Sequence, residues 1–273
     1  MRLITLLSLL LLTTLAPLKS QVDESLTVYT DQTDNSVFVY ADNDRLYPQT
    51  VKLELTLKGA KTKEKVPKYI IVPAGSKQLL LAEIVIPERR SWSYSYRYLF
   101  FMGDVNARHN DNHVYRLPYK AGESYKLGQG YFGKESHAGE RALDFDMDTG
   151  TEVVAARAGK VVAIKEDSNR GCPSDACAQS GNYVRIYHDD GTFADYYHLK
   201  KNGALVEPGD EVAAGDVIGL SGNTGWSSGP HLHFIVYRRE ENKRVTIATR
   251  FKTSRSAATE LKVKEVYKAV NQP

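Results

Sequence analysis

The sequence predicts an all-β protein of two successive domains, on three observations. Residues 26 to about 101 run as short stretches in which apolar and polar side chains alternate, the period of a strand with one buried face. From about Leu117 the chain becomes a series of short apolar runs separated by glycine. Only Glu260 to Ala269 carries the spacing of an amphipathic helix.

The first segment is Met1-Arg2 followed by an apolar run from Leu3 to Leu12, then Ala16, Pro17 and the small residue Ser20. A charged start, a short apolar centre and a small-residue cleavage site predict a signal peptide over residues 1–20. The run is shorter than the roughly 20 residues a membrane-spanning helix needs, so no membrane association is expected after removal. With Arg2 and Lys19 gone, the formal charge of +3 falls close to neutral. A nucleic acid partner is then not expected, because phosphate backbones are held by clustered Lys and Arg.

Residues 21–105 read as an immunoglobulin-like β-sandwich. Val51, Leu53, Leu55 and Leu57 alternate with polar neighbours, and turn clusters such as Ala41-Asp42-Asn43-Asp44 and Pro73-Ala74-Gly75-Ser76 separate such runs. The aromatic series Trp92, Tyr94, Tyr96, Tyr98 and Phe100 reads as core rather than as a sugar-binding face. Residues 106–117 read as a polar linker, with His109, Asp111 and His113 as solvated loop rather than metal ligands.

Residues 118–250 form the second all-β domain, and 251–273 a C-terminal extension. Asp189-Asp190-Gly191 between two apolar runs is a hairpin signal. Cys172 and Cys177 are the only cysteines, five positions apart, and in an exported chain they predict a local disulfide.

The residues that carry chemistry lie in this domain. In the run Gly229-Pro230-His231-Leu232-His233-Phe234, His231 and His233 share one face of a strand, where two imidazoles can serve one site. Asp144 and Asp146 share a face in Ala142–Met147, shortly after His137. Asp and His are oxygen and nitrogen donors that Zn²⁺ accepts, and three protein ligands with one open position define a catalytic geometry. His198 closes the run Asp195-Tyr196-Tyr197-His198-Leu199.

Read in order, residues 128–238 resemble the lysostaphin-type, or LytM-type, zinc metallopeptidases, a family of peptidoglycan endopeptidases. The matching segments are 150–156, Gly181-Asn182-Tyr183-Val184, Tyr196-Tyr197-His198-Leu199, Gly215–Gly219, Gly222-Asn223-Thr224-Gly225 and the His231 run. The resemblance implies a LytM-type β-sheet peptidase domain holding one Zn²⁺ per chain, with metal ligands His137, Asp144 and His233 and catalytic residues His198 and His231. It also implies a secreted hydrolase, periplasmic or extracellular, whose partners are the peptide stems or cross-bridges of bacterial peptidoglycan. The sequence departs from the common pattern at Glu140, which stands where the upstream His is usual; His137 in a longer turn is the expected ligand, with Glu140 as its alternative. No His-Glu-x-x-His helix is present, so His198 and His231 are the candidates for moving protons. The alternatives are a non-catalytic LytM-like wall-binding protein that activates another hydrolase, and a β-rich adhesin in which the histidines are incidental.

Overall fold

The computed structural model describes residues 26–88 and 91–271; the expected signal peptide lies outside the described residues. Among these residues strand dominates throughout, with a single short 3-10 turn at Asp175–Ser180. No helix in them is long and apolar enough to cross a membrane.

The alternating N-terminal residues form two antiparallel sheets. One orders Leu26–Gln32, Ser36–Asn43, Leu79–Val85 and Lys61–Thr62; the other orders Lys68–Val72, Gln49–Lys58 and Ser93–Met102. Val37, Val39, Leu81 and Ile84 from the first sheet meet Val51, Leu53 and Val72 from the second in one core, which makes the pair a sandwich. Tyr94, Tyr96, Tyr98 and Phe100 pack half-buried on that core, while Leu99 on the other face is 56% exposed. The aromatic stripe therefore serves packing.

The second half is built on one antiparallel sheet. Its spatial order is Glu211–Val212, Gly159–Lys165, Asn182–Tyr187, Phe193–Leu199, His231–Glu240, Ala142–Asp146, Ser124–Gln129 and Val266–Lys268, with Lys243–Thr246 paired to the far part of His231–Glu240. The hairpin at Asp189-Asp190-Gly191 joins two of these strands, and Gly191 takes φ +83°, a conformation that side-chain-bearing residues rarely adopt. Pleating sends Leu232, Phe234 and Val236 into the main core with Leu143, Phe145, Val184, Tyr196 and Leu127. His231, His233, Ile235 and Tyr237 consequently stand on the opposite face.

At one end of that opposite face the N-terminal sandwich is docked. Tyr47 and Met102 pack against a cluster containing Phe193, Ile235 and Tyr237, and the Tyr47 ring meets Phe193 edge-on at 5.5 Å.

Residues 260–269 are a correction to the sequence reading: they are turn and strand. Tyr267 and Ala269, two apart, are both buried, and Val266–Lys268 pairs with Ser124–Gln129. Lys264 at φ +73° breaks any helix there. Apolar spacing in so short a segment fits either period, and an available sheet edge decides for strand. Toward the other end of the domain, Val114–Tyr115 pairs with Arg250–Phe251, and Tyr115 and Leu117 are buried in the main core.

Candidate metal centre and active site

Register builds the centre. In antiparallel sheets, residues directly opposite one another present side chains on the same face. Asp144 is opposite His233 on one side and Gln129 on the other, while His233 is also opposite Tyr197. A row of Gln129, Asp144, His233 and Tyr197 thus crosses four strands. Two residues along, His231 is opposite Asp146.

His137 reaches this row from the turn before Ala142–Asp146 and is fully buried. Its Nδ1–H donates to the Gly130 carbonyl at 2.9 Å, which leaves Nε2 with a free lone pair. His137 Nε2, Asp144 Oδ1 and His233 Nδ1 form a nearly equilateral triangle with sides of 3.1, 3.0 and 3.1 Å. A tetrahedron with metal–ligand bonds of about 2.0 Å has edges of about 3.3 Å, so the triangle suits one face of such a site. Electron-pair donors converging from three directions also match a cation. Among the described residues, this is the group of three that converges on one point.

Burial pushes the Asp144 carboxyl up, yet the adjacent His137 and His233 imidazoles outweigh it and hold the group well below the ordinary carboxylate range. For His137, burial acts downward and the Asp144 partnership more than offsets it, leaving the pKa raised. The second oxygen of Asp144 accepts from Gln129 Nε2 at 2.9 Å. Gln129 also donates to Ser136 Oγ at 2.9 Å, tying the Asp144 carboxylate to the turn that carries His137.

His198 and His231 flank the triangle. Their rings are 4.5 Å apart between centroids, and His198 is 5.7 Å from the His233 ring. His231 Nε2 lies 3.7 Å from Asp144 Oδ1. The Nδ1–H of His198 donates to the Thr224 carbonyl at 2.6 Å, and that of His231 to the Gly229 carbonyl at 2.8 Å. Both imidazoles therefore keep Nε2 available as a base. Burial, reinforced by His231 and His233, pushes His198 down to about 3, so its ring is neutral at ordinary pH.

His198 owes its direction to its backbone. In a regular strand it would follow Tyr196 toward the core, but φ of +69° turns it back to the face of Tyr197, and Leu199 takes the core position instead. Such a conformation costs a non-glycine residue about 1 kcal/mol. An open groove of about 480 Å³ passes the centre, lined by Gln129, Lys134, Glu135, Asp144, Asp146 and His231.

The remaining candidates stand apart from the triangle. Asp146 is exposed and paired with Lys126 at 2.9 Å. Glu140 is ion-paired with Arg244. His109 bonds Asp111 at 2.9 Å and the Tyr115 hydroxyl at 3.0 Å, and His113 stacks edge-on against Tyr115. Cys172 and Cys177 are joined in a disulfide. Sequence reasoning missed Gln129, whose only signal is its place opposite Asp144, and the carbonyls of Gly130, Thr224 and Gly229, which no side-chain pattern reveals.

Residues 138–246 match the sequence profile described as Peptidase family M23. The chain is 40% identical over 97 residues to an uncharacterized metalloprotease of Buchnera aphidicola, covering 36% of this chain and 23% of that one. It is 37% identical over 118 residues to lysostaphin of Staphylococcus simulans, covering 41% and 21%. With the peptidoglycan DD-endopeptidase ShyA of Vibrio cholerae it shares 39% identity over 97 residues, covering 36% and 20%. The chain thus spans less than a quarter of the length of these relatives. A solved structure of lysostaphin from Staphylococcus simulans aligns over 50% of this chain and 47% of that one, at 34% identity and a TM-score of 0.35.

Proposed function

We propose, from the premise that residues 138–246 are a peptidase family M23 domain of the LytM type, that this chain is an exported zinc endopeptidase cutting peptide cross-links of bacterial peptidoglycan. The observation that carries the reading is the convergence of His137 Nε2, Asp144 Oδ1 and His233 Nδ1 beside two further imidazoles whose Nδ1 atoms are already engaged. Relatives described as lysostaphin and as a peptidoglycan DD-endopeptidase support the substrate class.

His137, Asp144 and His233 would hold the metal. Zinc in such a site supplies Lewis acidity and lowers the pKa of a water to about 7. Gln129 orients the Asp144 carboxylate, and the Gly130 carbonyl fixes the His137 tautomer. His198 and His231 act on the reacting groups: each keeps an Nε2 lone pair, by which one accepts the proton of the attacking water and, once protonated, hydrogen-bonds the developing oxyanion and passes that proton to the leaving amine, while the other accepts a hydrogen bond that orients the water. Neither ring is anchored to the donor triangle through its own hydrogen bonds, which leaves both free to face substrate.

Single alanine variants test this division. His137→Ala, Asp144→Ala and His233→Ala are expected to lose zinc and activity together, as measured by metal analysis and digestion of defined muropeptides. His198→Ala and His231→Ala are expected to keep zinc and lose most turnover. Zinc loss on His231→Ala with retention on His233→Ala would overturn the assignment. A zinc-loaded wild type with no hydrolysis would transfer the reading to the non-catalytic wall-binding alternative.

A further inference from the structure

We propose that the disulfide-closed loop Cys172–Cys177 is a positioning element for the reaction, holding the acceptors that orient both His198 and His231; the inference rests on the catalytic reading above. Both imidazoles are fixed by one short segment, residues 223–229. It supplies the Thr224 carbonyl to His198, and the Gly229 carbonyl with Ser227 Oγ, at 3.1 Å, to His231. Ser227 Oγ also donates to the Gly229 carbonyl at 2.8 Å, so the two acceptors for His231 move together.

This segment depends on the disulfide loop for its own shape. Its only regular structure is Gly225–Trp226, which pairs in parallel with Gly171–Cys172. Gly225 N–H donates to the Arg170 carbonyl at 2.8 Å and Ser227 N–H to the Cys172 carbonyl at 3.0 Å. On the far side of the loop, Asn182 N–H donates to Thr224 Oγ1 at 3.0 Å, and Thr224 Oγ1 donates to the Leu199 carbonyl at 2.7 Å. The segment is therefore clamped between Cys172 on one side and the start of the strand Asn182–Tyr187 on the other.

Cys177 is fully buried in the turn leading to that strand, while Cys172 stands at the outer end of the clamp. The disulfide fixes Cys172 relative to Cys177, and so ties the outer end of the clamp to the sheet that also carries His198. The pairing itself is only two residues long, so the outer side of residues 225–227 rests on Gly171–Cys172, and the disulfide is what anchors that short ribbon covalently. A second handle on the same coupling is Gly171. A Cβ there would overlap the Asn223 carbonyl oxygen, so any larger residue must push the two segments apart.

The test compares wild type, the double variant Cys172→Ala/Cys177→Ala, and Gly171→Ala, which keeps both cysteines. Each is examined for zinc content, thermal unfolding, kcat and KM on a defined muropeptide, and the ¹⁵N shifts of the histidine Nδ1 atoms. Zinc is expected to stay bound and KM to change little, while kcat falls about 10- to 100-fold in both variants, the loss typical of misplacing a reacting group by about 1 Å. The Nδ1–H tautomer of His198 and His231 should give way to a mixture. Unchanged kcat in either folded variant would overturn the proposal, as would loss of kcat only in step with loss of zinc. The ¹⁵N comparison stands apart from turnover: if wild type proves inactive, unaltered tautomers in the variants refute the positioning role, and altered ones uphold it while the catalytic reading alone fails.

Discussion

Replacing Gln129 by Leu should weaken zinc binding by about 10- to 100-fold without unfolding the protein, because Gln129 acts on the centre through Asp144 and the turn that carries His137. Its Nε2 donates to Asp144 Oδ2 at 2.9 Å, leaving Oδ1 aimed at His137 and His233. A hydrogen bond to a charged group contributes about 1.5–3 kcal/mol, and each 1.4 kcal/mol is a factor of ten in affinity, so loss of this bond alone sets that range. Leucine fills a similar volume and cannot donate, so the carboxylate is left free to rotate about its Cβ–Cγ bond. Gln129 also holds Ser136 at 2.9 Å, so the turn carrying His137 loosens in the same variant. Gln129→Glu should be worse, since it places a second negative charge against Asp144. Competition against a chelator of known affinity measures the zinc Kd directly, with the unfolding transition as control. A Kd within twofold of wild type for Gln129→Leu would refute the claim that this amide orients the ligand.

Two further outcomes follow from buried groups outside the centre. His188 is fully buried; burial, with the Arg157 charge adding to it, pushes the ring down to about 4 from its ordinary 6.5. The unfolded chain therefore binds a proton that the fold excludes between those values, so this stability is present above pH 6.5 and lost as pH falls toward 4. Denaturant unfolding should show His188→Asn losing about 2 kcal/mol less than wild type between pH 7.5 and pH 5, and parallel pH profiles would refute the assignment. Tyr115 is buried among Phe234 and Phe251. A chain beginning at residue 118 should accordingly be about 3 kcal/mol or more less stable than one beginning at residue 106, as read from their unfolding curves.

Much of the candidate site was legible from local pattern, because strand geometry is local. The i, i+2 spacing of His231 and His233 dictates a shared face wherever the strand packs, and Asp189-Asp190-Gly191 dictates a hairpin. The alternation in Val51–Leu57 and Trp92–Phe100 was likewise enough to predict strands with one buried face. What the sequence by itself determined is thus which residues can stand side by side along one strand. Which residues stand side by side across strands was decided only by tertiary structure. Asp144 opposite His233, and Gln129 opposite Asp144, are matters of register between separate strands, the first pair far apart in the chain, and a slip of one residue would send each side chain to the other face. Glu140 and His137 carry equally suitable donors; packing points His137 inward and gives Glu140 to Arg244. His198 shows the limit most plainly, since local alternation assigns it to the core. Only the left-handed backbone at that one residue, held by the Thr224 carbonyl across the loop, turns its ring toward His231 and His233.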